Sequence, residues 1–97
     1  MFRITSHIRD GEFVLKLEGC LAGAWVRELD ACWRETSKTA AGTRIRVDLT
    51  DVCHVDAAGR ALMTVMYRAG VRYTARGCVM PELVREIAQS AEPRQRN

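Results

Sequence analysis

Every segment of this chain that alternates with a period of two is apolar on one side only. Phe2, Ile4 and Ile8 alternate with Arg3, Thr5 and His7. Phe13, Leu15 and Leu17 alternate with Val14, Lys16 and Glu18, and Ile45, Val47 and Leu49 with Arg44, Arg46, Asp48 and Thr50. Successive side chains of a strand point to opposite faces, so these segments read as strands with one face in a core and the other in water. Strands covered on both sides would instead be continuous hydrophobic runs. The chain is therefore constrained to a sheet whose helices lie largely on one face.

The remaining segments supply those helices. Asp10-Gly11 joins the first two strands as a two-residue hairpin turn. From Gly23 the period lengthens: Trp25, Leu29, Cys32, Trp33 and Thr36 form an apolar stripe that ends near 37–42, and both tryptophans read as core. After the third strand, a loop over 51–55 precedes a helix with the stripe Ala58, Ala61, Leu62, Val65, Met66 and Ala69, which Gly70 ends. Val71, Tyr73 and Ala75 make a short fourth strand. Pro81 and Glu82 begin a last helix with Leu83, Val84, Ile87 and Ala88 on its stripe. The order β-β-α-β-α-β-α makes the pairings among the second, third and fourth strands parallel. The expectation is an α/β fold: a small mixed four-stranded sheet with about three helices mainly on one face, over 1–89, and a polar tail over 90–97.

Composition narrows the function classes. With 97 residues the chain is one domain, and Leu, Ile, Val and Phe at 22 of them suffice for a folded core. Fifteen basic against twelve acidic residues leave a net charge of +3, too small and too dispersed to indicate a nucleic-acid partner by itself. Cys20, Cys32, Cys53 and Cys78 are 12, 21 and 25 residues apart, which matches no zinc or thiol-redox spacing, so they read as reduced, mostly buried thiols. The longest apolar stretch, Cys20 to Val26, is far short of a membrane span. Arg3, Arg9, Asp10 and Glu12 stand where a signal peptide would be apolar, so the simplest location is the cytosol.

The segment from Val47 to Gly59 holds the most chemistry. Asp56 follows a strand and precedes a helix, where its carboxylate can accept from the free N–H groups of the first turn. An N-cap is the commoner role there; the alternative is an exposed recognition point that would welcome phosphate, and the residues leave both open. His54 with Cys53, Asp51 and Asp56 is the cluster nearest to an enzyme or metal site. Its spacing fits no zinc signature, and adjacent Cys and His side chains seldom face each other, so neither catalysis nor a metal is expected. Asp48 and Asp51 lack the acidic pair and the later lysine that a phospho-acceptor aspartate needs. The open sheet face would carry Arg3, Lys16, Arg44, Arg46, Arg72 and Arg76 against Glu18 and Asp48. Phe13 and Tyr73 turn to the core, so nucleic acid would find only a weak electrostatic attraction there.

Together, the glycine closing the second strand, the helix after it, the strand Val47-Asp48-Leu49-Thr50-Asp51-Val52 and the run Val55-Asp56-Ala57-Ala58-Gly59 before an apolar helix resemble a STAS domain, the sulfate transporter and anti-sigma factor antagonist family. The resemblance spans about 2–89 and is most specific over 47–66. It implies a bacterial regulatory module of signal transduction and transcription that binds a protein partner, an anti-sigma kinase, and needs no cofactor. In such antagonists the residue before the glycine is a phosphorylated Ser or Thr; here it is Ala58, beside Ala57, and a methyl group accepts no phosphate. Cys20 and Ala22 flank Leu21 where acidic residues are frequent, and Arg60 replaces a usual apolar residue.

Similar domains without the hydroxyl serve as accessory subunits of ABC-type lipid transporters or of stress-signalling complexes, and this alternative stays open, as does a homodimer. The expected contact set is Asp56, Ala57, Ala58, Gly59, Arg60, Met63 and Tyr67. Met63 and Tyr67 lie off the core stripe, where they either cover the core edge or anchor a partner.

Overall fold

The computed structural model describes residues 2–39, 42–76 and 79–91. Strand β1 (Phe2–Arg9) runs antiparallel to β2 (Glu12–Leu21). Helix α1 (Ala24–Thr39) leads to β3 (Arg44–Val55), helix α2 (Ala57–Arg68), the short β4 (Arg72–Thr74) and helix α3 (Val79–Ala91). The sheet is four-stranded and mixed, in the order β1-β2-β3-β4, with parallel β2–β3 and β3–β4 pairings. This is the α/β architecture that the one-sided alternation implies.

The hairpin closes on Asp10 and Gly11, both at positive φ (53° and 79°), a turn whose twist matches that of the flanking strands. Inward positions of one parity form the core: Leu15 and Leu17 on β2, and Ile45, Val47 and Leu49 on β3. Leu29 and Trp33 of α1, Leu62, Met63 and Met66 of α2, and Met80, Leu83 and Ile87 of α3 pack over them. Tyr73 also points inward, and its hydroxyl donates to the Met63 carbonyl at 2.7 Å, so its polar end is satisfied where it is buried. Thr36, on the α1 stripe, is buried with its hydroxyl donated back to the Cys32 carbonyl.

Several expectations are corrected. The segment expected as a loop over 51–55 is the continuation of β3, which stays paired with β2 through Leu21–Val55. It does so by carrying one extra residue between Asp48 and Asp51, opposite Lys16 to Glu18, and another between Val52 and His54, opposite Gly19 and Cys20, irregularities that break the alternation and hide the strand from a period-of-two reading. Helix α3 starts at Val79 rather than Pro81 and runs through Ala91, past the expected tail boundary. Trp25, expected in the core, is 41% exposed and packs its ring against Phe2 at the sheet margin, 5.9 Å between centroids. Ile8, at the hairpin end beyond the reach of the helices, is 71% exposed. Val14 is buried although it points to the open face, in a row with His7 and Arg46. Arg46 is held across that face by Glu12 at 3.1 Å and Thr74 at 3.3 Å, which lays its stem beside Val14.

The rotation of α2 differs most from the sequence reading. Its buried residues are Gly59, Leu62, Met63 and Met66, at i, i+3, i+4 and i+7, whereas Ala58, Ala61, Val65 and Ala69 of the expected stripe face solvent. Gly59 sets this phase. A Cβ there would lie 2.8 Å from Val55 Cγ1 and 2.9 Å from the Leu21 carbonyl oxygen, so the helix can approach the strand ends only with glycine at the contact. The helix ends as a Schellman motif: Val71 N–H donates to the Met66 carbonyl and Gly70, at φ 104°, donates to Tyr67.

Candidate functional site

The ends of β2 and β3 converge on the start of α2, and Asp56 ties them together. Its backbone is extended (φ −83°, ψ −179°). Oδ1 accepts from Gly59 N–H at 2.7 Å and Oδ2 accepts from Gly23 N–H at 3.0 Å. Its own N–H donates to the Leu21 carbonyl at 3.1 Å, and its carbonyl accepts from Arg60 N–H at 2.9 Å. Hydrogen bonds from the Gly23 and Gly59 amides hold the carboxyl below the usual aspartate range. Of the two roles left open for Asp56, the geometry gives the cap, extended into a clasp between the β2–α1 connection and α2. Negative charge already sits at this helix start, which removes the electrostatic case for a bound phosphate.

Around the clasp, Ala57 and Ala58 are exposed. Arg60 is exposed and donates to Glu86, joining α2 to α3. Ala61 and Val65, the latter 46% exposed, extend the surface of Ala58 along the helix at i+3 and i+7. The structure thus brings Asp56, Ala57, Ala58 and Arg60 together but separates the rest of the expected set. Gly59 is buried at the strand contact. Met63, expected as a surface contact, is 0% exposed, because the phase set by Gly59 turns it into the core. Tyr67, ten residues and about 15 Å along the helix axis from Ala57, is half-buried, with the Arg72 guanidinium 4.5 Å above its ring.

Beside this surface a groove of about 370 Å³ runs between the end of β3 and α3, lined by His54, Val55, Arg60, Met80 and Glu86 among others. Cys53 and His54, on its rim, are both exposed, and Cys53 corrects the expectation of buried thiols. Cys20 and Cys32 are half-buried; Cys78 lies outside the described residues. Cys20 and Cys53, far apart in sequence, have their sulfurs 3.1 Å apart. Sequence spacing cannot see this pair, because a parallel register rather than chain separation makes it. Among the described residues no three His, Cys, Asp or Glu side chains converge as metal ligands, and no helix is long and apolar enough to cross a membrane.

The open sheet face is less basic than its composition implies. Lys16 pairs with Asp51 at 3.2 Å and Arg46 with Glu12 at 3.1 Å. Arg72, on the edge strand, folds back over Tyr67.

Neither a protein-family model nor a curated protein matches the sequence. Among solved structures, the anti-sigma factor antagonist SpoIIAA in its unphosphorylated form superposes with a TM-score of 0.64 at 20% identity, over 88% of this chain and 82% of that one. The chain has a STAS-like fold. A protein of the DUF3478 family from Shewanella loihica PV-4, described as having a SpoIIAA-like fold, superposes on this chain with a TM-score of 0.59 at 12% identity, over 92% of it and 78% of that protein.

Proposed function

We propose that this chain is a protein-docking module of the anti-sigma factor antagonist type, without catalytic activity, which presents the start and exposed ridge of α2 to its partner. The observation that carries the reading is the rotation of α2. Ala58, Ala61 and Val65 form an apolar ridge in solvent, continuous with the exposed Ala57 and Arg60 at the clasped helix start. Small side chains at 57 and 58 let a partner backbone approach closely, and Val65 supplies apolar area beside them. The likeness to an anti-sigma factor antagonist supports the class of partner. Where phosphorylation would act before the glycine, Ala58 offers no hydroxyl, so docking here is not switched at that position.

Affinity capture on the immobilised chain, followed by titration of the recovered partner, tests the reading. Ala58→Glu places a charge on the ridge without filling a core site. It should weaken binding at least about tenfold, equivalent to ~1.4 kcal/mol, while the thermal midpoint stays within a few degrees of the parent. A captured anti-sigma kinase, a transporter subunit and a signalling scaffold are distinguished by their identities. Equal affinity for both chains would remove the ridge as the docking surface.

A further inference from the structure

We propose that Cys20 and Cys53 are a reversible modification site: a hydroperoxide converts them to an intramolecular disulfide that staples the C-terminal ends of β2 and β3. Three observations meet there. The two sulfurs are 3.1 Å apart, within a thiol–thiol hydrogen bond, so closing to a bond of about 2.05 Å needs a movement of roughly 1 Å. The side chains stand on adjacent parallel strands, and neighbouring strands about 4.8 Å apart fall inside the Cα separation a disulfide accepts. The register supplies the third. Gly19 pairs with Val52 and Cys20 with His54, so Cys53 is the additional residue of an irregularity in β3. Such an irregularity re-aims a side chain, and here it places Cys53 against Cys20 rather than on the far face.

Access divides the roles. Cys53 is exposed and Cys20 half-buried behind it, so peroxide meets Cys53 first. The Cys53 thiol and a hydroperoxide ROOH give Cys53 sulfenic acid and ROH. The Cys20 thiol then attacks that sulfur, forming the S–S bond and releasing water. Over the two steps both sulfurs are oxidised by one electron each, and the peroxide O–O bond is reduced by two. A thiol partner returns the pair to the dithiol by exchange. In the dithiol form the hydrogen bond with Cys53 is the main cause holding the Cys20 thiol above the ordinary cysteine range. The site is independent of the docking reading, although Leu21, next to Cys20, accepts the hydrogen bond from Asp56 N–H.

The test is peptide mass mapping under non-reducing conditions after treating the full chain with one equivalent of hydrogen peroxide and blocking free thiols. The expected product is one cross-linked pair of peptides containing Cys20 and Cys53, two hydrogens lighter than the dithiol and reversed by dithiothreitol. Cys32→Ser should leave it unchanged. Cys53→Ser should abolish it and leave Cys20 available to the blocking reagent, with an unaltered circular dichroism spectrum to show that the variant is folded. Cys53 carried on to sulfinic or sulfonic acid with Cys20 still free, or cross-links through Cys32, Cys78 or a second copy in place of the Cys20–Cys53 link, would overturn the proposal.

Discussion

Asp56 commits both carboxylate oxygens to backbone amides from two different parts of the chain, Gly23 and Gly59, and this makes its charge a structural component. Its carboxyl sits below the ordinary range in the folded chain, so it stabilises the fold fully above the unfolded-state value of about 3.9. That contribution is lost as pH falls through the lower folded value. Asp56→Asn keeps one acceptor oxygen but no charge. The parent should therefore have a higher urea midpoint than the variant at about pH 6, and the gap should narrow progressively below about pH 4. A gap that stays constant over that range would mean that the charge of Asp56 does not hold the clasp. At this scale the cap was legible, because an Asp between a strand and an apolar helix has few better uses. The Gly23 half of the clasp and the Cys20–Cys53 contact were not, since both depend on which strand lies beside which.

Helix α2 shows what periodicity can and cannot resolve in an element. The existence of the helix follows from apolar residues at helical spacing, but Ala58, Ala61, Leu62, Met63, Val65 and Met66 offer two overlapping stripes that differ by a small rotation. Hydropathy favours the stripe with more apolar members. The steric demand at Gly59, which no hydropathy scale records, selects the other. The two phases make opposite stability predictions. Met63→Ala should cost about 2–5 kcal/mol in urea unfolding, as expected for a methionine truncated in a core, whereas Val65→Asp should change stability by no more than about 0.5 kcal/mol. The reverse ranking would return Val65 to the interior and remove the ridge. In β3 the hidden feature was length rather than phase, because the two extra residues broke the alternation just where the strand approaches α2.

Over the whole molecule, layers and topology were the most legible features. One-sided strands allow only a sheet covered on one face, and helical segments after the second, third and fourth strands supply the cover. The charge of the uncovered face was less legible, because Lys16–Asp51 and Arg46–Glu12 join residues distant in sequence. The result is a domain with two contrasting surfaces: a sheet face of charged groups, several of them paired with one another, and a helix edge with an apolar ridge beside a rigid clasp. Docking through the second of these is the central claim. Hydrogen–deuterium exchange of the chain, free and with its captured partner, tests it most directly. Added protection over 57–65 is the expected result; protection confined to β1 and to the strand residues around Arg44 and Arg72, with α2 unchanged, would contradict it.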